Sequence, residues 1–389
     1  MTEDPVIFTI FLIFTGGAIL ATVALFARQA LLISYILLGI CLGPWGMGLV
    51  PDPDIVKAIA HIGIIFLLFL IGLNLPAQKF FHLLRKTTIV TGLSSLLFMA
   101  VGFALGRLFG FAMIESLVIG FTMMFSSTII ALKLLPTTIL HHMHTGEVMI
   151  SILLLQDVVA IAVLLFLEGM GRGEMPLLEM GSLILTLPLM FIFAWLMERY
   201  LLSELIRRFD KIQEYIFLLA IGWCLGMAEL AGLFGLSHEI GAFIAGVSLA
   251  TGVVSQFIAE SLKPLRDFFL VLFFFSIGAN LNLLVLQDVI IPALAIAVVA
   301  LAMKPLVFQL LLKGSGESGR RSLEVGFRLG QMSEFSLLIA VMALEVGVIR
   351  AETSYLIQAS TVLTFLVSSY WIVLRYPTPV AVSDQLRKD

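Results

Sequence analysis

The stretch EVMISILLLQDVVAIAVLLFLE, Glu147 to Glu168, decides how this chain is read. It is long enough to cross a bilayer and almost wholly aliphatic, yet Gln156 and Asp157 stand at its centre. A carboxylate at mid-membrane costs a few kcal/mol or more, and such groups are kept where they face a protein interior or a wet cavity. Asp157 is too short to reach a membrane surface from there.

The whole composition agrees with a membrane setting. Hydrophobic residues make up 60% of the chain, charged residues 13%, and mean hydropathy is +1.10, against about 25% charged in soluble domains. The acidic N-terminal flank MTEDP does not resemble a cleavable signal peptide. Cys41 and Cys224 lie in apolar segments and predict neither a disulfide framework nor a metal site. These features exclude a soluble enzyme and a nucleic-acid-binding protein, and no cofactor is expected.

Apolar runs of roughly 17 to 25 residues mark spanning helices. Thirteen are expected, near 5–26, 30–49, 55–75, 88–110, 114–137, 147–168, 179–202, 214–234, 238–255, 266–286, 288–312, 322–347 and 353–374. With that count, the loops after odd-numbered helices and the C-terminal tail carry 16 Lys and Arg, and the opposite side carries 4. The positive-inside rule then places the C-terminus in the cytoplasm and the N-terminus outside. Lys133, Lys304 and Arg328 remain within the bilayer. Lys133 and, in part, Arg328 are near enough to helix ends to snorkel.

The third helix ends in FLLFLIGLNL and the tenth in VLFFFSIGANLNL. The second contains GICLGPWGMGL and the ninth, more loosely, GAFIAGVSLATG. Each pairing is offset by seven helices, an odd number, so the copies enter the membrane from opposite sides. Unless the likeness is chance among apolar segments, this is the inverted repeat of many secondary transporters. The predicted fold is all-α and polytopic, a transmembrane domain over 1–375 followed by a short tail, 376–389. The first repeat covers 1–168, a linker helix 179–202 and the second repeat 214–374.

Substrate sites in such proteins sit at broken helices in equivalent positions of both halves. The fifth helix carries FSSTII, with Ser126, Ser127 and Thr128 at mid-span, and the twelfth carries GQMSEFS, with Gln331, Ser333, Glu334 and Ser336. Freed carbonyls, side-chain oxygens and facing half-helix ends there can replace part of a cation's hydration shell. The hydroxyls can instead bond back to their own helix.

These motifs together resemble the monovalent cation:proton antiporters of the Kef type. LLLQDVVAI, FSSTII, GPWG (Gly43 to Gly46), FLIGLNL, LSHEIGAFIAGV, FFFSIGANLNL, MKPLV and SEFSLLIA follow one another in the family's order. The resemblance implies a homodimer in a plasma membrane, bacterial inner membrane being the expected one. Helices one to three and eight to ten would form the dimerisation scaffold, and four to six and eleven to thirteen the mobile core. It assigns Asp157 as the ion- and proton-binding carboxylate, Gln156 as its neighbour and Lys304 as the core lysine, Asp157's ion-pair partner. Two departures stand out. Asn74 occupies a position that is often acidic in the family. No G-x-G-x-x-G nucleotide-binding fold follows Arg375, so either the family's cytoplasmic nucleotide-binding domain is missing from this sequence or this member never had one, and a regulatory subunit is the other expected regulatory partner.

One carboxylate can hold a proton or a monovalent cation, K+ or Na+, but not both. Competition for Asp157 therefore suffices for exchange if the core exposes it to each side in turn, and with the neutral Gln156 beside it the cycle is expected to be electroneutral. A gated cation channel is the alternative, since the same breaks can line a pore, and a sodium-coupled symporter of an organic anion is a third reading. His141, His142 and His144 lie in an expected cytoplasmic loop beside Glu147, where they could sense pH or bind metal. His238-Glu239 lacks the second histidine of a zinc protease helix, because residue 242 is Ala242.

Overall fold

The computed structural model describes residues 5–27, 29, 31–50, 54–73, 77–134, 144–171, 177–209, 211–234, 236, 238–250 and 255–378. Asn74, His141, His142, the side chain of Lys133 and the tail from 379 onward lie outside the described residues. The described part is all-helical, as expected of a chain that must satisfy its backbone without water.

In chain order the helices are α1 (Pro5–Phe26), α2 (Leu31–Leu42), α3 (Asp54–Leu73), α4 (Ala77–Leu108), α5 (Met113–Met124), α6 (Thr128–Lys133) and α7 (His144–Gly171). Then come α8 (Leu177–Met197), a π-helical turn at Glu198–Leu202, α9 (Ser203–Phe209), α10 (Gln213–Leu233) and α11 (His238–Leu249). The chain closes with α12 (Ser255–Asn280), α13 (Leu283–Gly314), α14 (Gly319–Arg328), α15 (Glu334–Glu345) and α16 (Ala351–Arg375). Among the described residues, six helices are long and apolar enough to cross a membrane.

Several boundaries differ from the expected spans. Helices α4 and α12 begin well before the apolar windows at 88 and 266, because a helix satisfies its own backbone whatever its polarity. The segment expected at 179–202 continues through the π turn to Phe209. His144 is not in a loop but opens α7. The fifth and twelfth expected spans are each split in two, at residues 125–127 and 329–333. Glycines with left-handed backbone, Gly110 (φ 83°) and Gly347 (φ 75°), turn the chain after α4 and after α15.

The helices pack in two groups. Helices α1, α2, α3, α8, α10, α11 and α12 form one, and α4, α5, α7, α13, α14, α15 and α16 the other. Within the first group, backbones approach so closely that only glycine fits. On α2 and α12, a Cβ at Gly39 would meet the Phe275 carbonyl oxygen, and one at Gly278 would meet that of Ile36. On α3 and α11, a Cβ at Gly72 would meet the Phe243 carbonyl oxygen, and one at Gly246 that of Phe69. The register is the same in both pairs: each glycine lies three residues after the carbonyl that its partner glycine approaches.

Candidate functional site

The site lies in the second group, where the two interrupted segments come together. Helix α5 ends at Met124 and Phe125 is extended (φ −91°, ψ 148°) before α6 starts at Thr128. Helix α14 ends at Arg328 and α15 starts at Glu334. Ser126 Oγ donates to the Leu329 carbonyl (2.8 Å), joining one interruption to the other. Ser336 Oγ donates to Thr122 O (2.6 Å), tying α15 to α5.

Each half-helix that begins here has a serine cap. Ser127 Oγ accepts from Ile130 N (3.1 Å) at the start of α6, and Ser333 Oγ accepts from Phe335 N (3.2 Å) at the start of α15. Thr364 Oγ1 accepts from Met332 N (3.0 Å). Ile130 N and Phe335 N are among the backbone donors that a helix start leaves without an intrahelical partner, and Met332 N lies in the interruption just before α15. Two partly positive helix starts and two partly negative helix ends therefore converge in one buried volume.

Lys304 answers the negative ends. Its Nζ donates to Phe125 O (2.6 Å) and Gln331 O (2.8 Å), and it stands 5.3 Å from the centre of the Phe98 ring. The side chain is fully buried. The expected Lys304–Asp157 ion pair is not formed: among the described residues no ion pair involves Lys304. Two carbonyl dipoles and an aromatic face balance the ammonium instead.

Gln156 also serves backbone. Its Oε1 accepts from Ser126 N (3.0 Å) and its Nε2 donates to Met124 O (3.1 Å), replacing the helical bonds lost at the first interruption. Gln331 acts similarly at the second, donating through Nε2 to Arg328 O (2.9 Å) and accepting through Oε1 from Ser368 Oγ (2.9 Å).

Asp157 sits one residue along α7 from Gln156, and 4% of it is exposed. Its partner is Thr128 at the N-terminus of α6, whose Oγ1 lies 3.5 Å from Oδ1, a long hydrogen bond. Glu334, the first residue of α15, is also buried and interacts electrostatically with Asp157. Of the predicted site residues, Asp157, Thr128 and Glu334 thus come near one another where two half-helices begin. Gln156, Ser126, Ser127, Ser333 and Lys304 bond to the interrupted backbone around them.

Arg328 does not snorkel. It is fully buried, with Nη1 on Leu134 O (3.0 Å), Nη2 on Pro377 O (2.8 Å) and Nε on Glu324 Oε1 (3.1 Å). Sequence reasoning also passed over α16, whose buried Ser354, Thr361, Thr364 and Ser368 recur at helical spacing on the face toward the site. That stripe is the signal that identifies it.

Comparison with known proteins identifies the family and the fold. The profile of the family described as "Sodium/hydrogen exchanger, transmembrane" matches residues 10–374. The iron transporter MagA of Paramagnetospirillum magneticum is 27% identical over 346 residues, covering 89% of this chain and 80% of MagA. K(+) efflux antiporter 6 of Arabidopsis thaliana is 29% identical over 350 residues, 87% of this chain. The chain spans 58% of that relative's length. The sodium proton antiporter MjNhaP1 of Methanocaldococcus jannaschii at pH 8 superposes with a TM-score of 0.66 at 18% identity, covering 95% of this chain and 99% of that one. A second MjNhaP1 structure, from electron microscopy, gives 0.69 at 16% identity. The fold is that of MjNhaP1.

Proposed function

The chain belongs to the transmembrane sodium/hydrogen exchanger family, a multi-pass integral membrane family of cation:proton antiporters, and we propose that it exchanges a monovalent cation, K+ or Na+, for a proton by alternating access. The observation that carries this reading is Asp157, a buried carboxylate held against the start of an interrupted helix, with Glu334 beside it at the start of the other. Cation and proton compete for Asp157. Thr128 Oγ1 and Glu334 complete the cation's shell, and Lys304 and Gln156 keep the interrupted segments in place. One proton exchanges for one cation, because Asp157 is the carboxylate for which the two compete and the Gln156 amide beside it carries no proton. Relatives named as K(+) efflux antiporters, and a sodium proton antiporter of the same fold, support both cations as candidates.

The proposed architecture has thirteen spans in two inverted repeats. Pairing α3 with α12 and α2 with α11 equates Gly72 with Gly278 and Gly39 with Gly246. Their matched backbone approaches support a two-fold relation between the halves. The first helix group is the scaffold of a homodimer in a plasma membrane, and the second is the moving core. The C-terminus is cytoplasmic, and a regulatory subunit or nucleotide-binding domain acts from that side.

The test uses acid-loaded proteoliposomes containing the purified chain. External KCl or NaCl should drive proton efflux without a co-ion or ionophore. Cation uptake with no proton movement would instead establish the gated-channel reading.

A further inference from the structure

The chain does not part from the core at the end of α16. Tyr376 N donates to Ile372 O (2.9 Å), and Thr378, three residues beyond the helix, is fully buried. The segment is held back against the core by Arg328, the last residue of α14. All three guanidinium nitrogens are engaged: Nη2 donates to Pro377 O (2.8 Å), Nη1 to Leu134 O (3.0 Å) and Nε to Glu324 Oε1 (3.1 Å). The centre of the Tyr376 ring lies 5.5 Å from the guanidinium carbon and 6.2 Å from that of Phe327. Phe327 in turn stacks on Trp371 of α16 at 5.2 Å.

A fully buried charge survives only where its partners are all in place. Two of the three here are main-chain carbonyls from other parts of the fold, so Arg328 is a junction as well as an ion pair. Leu134 O belongs to the end of α6, where a helix leaves carbonyls unpaired and is partly negative. Helix α6 has six residues and is about 9 Å long. At its other end Thr128 Oγ1 reaches Asp157. The helix is thus a strut with Asp157 at one end and, through Arg328, the departing chain at the other.

A second path starts from the same residue. Gln331 Nε2 donates to Arg328 O (2.9 Å), and Gln331 O accepts from Lys304 Nζ (2.8 Å), which also holds Phe125 O. Both paths are contiguous chains of hydrogen bonds and short rigid elements, the kind that carries coupling between separated sites.

We propose that Tyr376–Thr378 is a strap and that Arg328 is a positioning residue coupling its docking to cation binding at Asp157. Docked, the strap fixes the Leu134 end of α6 and so sets Thr128 against Asp157. Lifted, it deprives Arg328 of one partner and loosens that end. The inference rests on the exchange reading above, and its test separates the two.

Coupling is reciprocal, so a cation that tightens α6 at Thr128 must also hold the strap down. Thr378→Cys, in a Cys41→Ser and Cys224→Ser background, reports docking, because a fully buried thiol reacts when the strap lifts. Labelling of the purified chain by a charged methanethiosulfonate should be several-fold slower in KCl or NaCl than in choline chloride at equal ionic strength and pH. Adding Asp157→Asn should abolish that difference. Arg328→Lys keeps the charge but not the three-way fork. It should speed labelling about tenfold, as for one lost hydrogen bond to a charged group, and raise the apparent KM for the cation with kcat retained. Tyr376→Ala leaves the hydrogen bonds of Arg328 in place and should move both quantities in the same direction by less, which keeps the test open if Arg328→Lys does not fold. Labelling that ignores the cation in a protein that still exchanges it for protons would overturn the strap. So would cation-slowed labelling that persists in Asp157→Asn, or faster labelling with an unchanged KM. Cation-slowed labelling that depends on Asp157, in a protein that moves no protons, would instead overturn the exchange reading and leave the strap standing.

Discussion

Gln156 and Asp157 are neighbours in sequence with separable roles. The Gln156 amide replaces two backbone hydrogen bonds at the α5–α6 interruption, so Gln156→Ala leaves Met124 O and Ser126 N buried without it. The expected cost is about 1–3 kcal/mol, visible as a lower Tm in detergent. Asp157→Asn should abolish exchange with Tm and elution volume retained, because the amide can still accept from Thr128. The hydroxyls divide likewise: Ser127→Ala removes the α6 cap and should cost roughly 1 kcal/mol, whereas Thr128→Val should raise the KM for the cation at little cost in stability. Equal effects of the two on KM would contradict this division. Asp157 is legible in the sequence because a short carboxylate amid aliphatic residues has few explanations. The roles of Gln156 and Lys304 are not, since their partners are main-chain atoms that no side-chain pattern encodes.

At the scale of helices, the interruptions at 125–127 and 329–333 show as clusters of Ser, Thr, Gln and Glu where lipid would demand aliphatic residues. Their joining by Ser126 and Leu329 depends on a contact across 203 residues, beyond any local signal. The glycine approaches have a measurable consequence. Gly278→Ala forces a methyl onto the Ile36 carbonyl and should destabilise by about 1–3 kcal/mol, while Gly222→Ala, with nothing within 4 Å, should be neutral or stabilising by up to about 1 kcal/mol. Thermal melts of the two variants side by side check this, and a neutral Gly278→Ala would refute the close approach. The turn from α13 to α14 carries a pH dependence. His144, at the start of α7, places Nε2 2.7 Å from Glu317 Oε1, and Arg321 Nη1 lies 2.8 Å from Glu317 Oε2. Burial alone would raise the Glu317 carboxyl, but these hydrogen bonds outweigh it and hold it below its ordinary value. A carboxyl lowered on folding contributes stability that is full above its unfolded pKa, about 4.3, and is lost as pH falls through the folded value. Wild type should therefore lose Tm more steeply than Glu317→Gln as pH falls below that point. Parallel acid limbs would remove Glu317 from the account.

At the scale of the whole molecule, the described helices pack in two groups, with the buried carboxylates inside one and a cavity of about 480 Å3 between them. That division follows from long-range packing, and motif order alone does not draw it. Membrane potential acts on net charge, at about 2.3 kcal/mol per charge per 100 mV. With one proton exchanged per cation, a potential of either sign imposed on proteoliposomes should leave the equilibrium cation ratio set by the pH gradient; a ratio that shifts with voltage would mean that Glu334 or Lys304 also carries a proton. The central claim, that cation and proton displace one another at Asp157, is tested most directly by counting protons released on binding. Calorimetric titration of the purified chain with KCl and NaCl in two buffers of different ionisation enthalpy gives that number. The account predicts about one proton released per cation bound, at a pH where Asp157 is protonated, and none for Asp157→Asn. Cation binding with no buffer-dependent heat, or with the same proton release in Asp157→Asn, would contradict it.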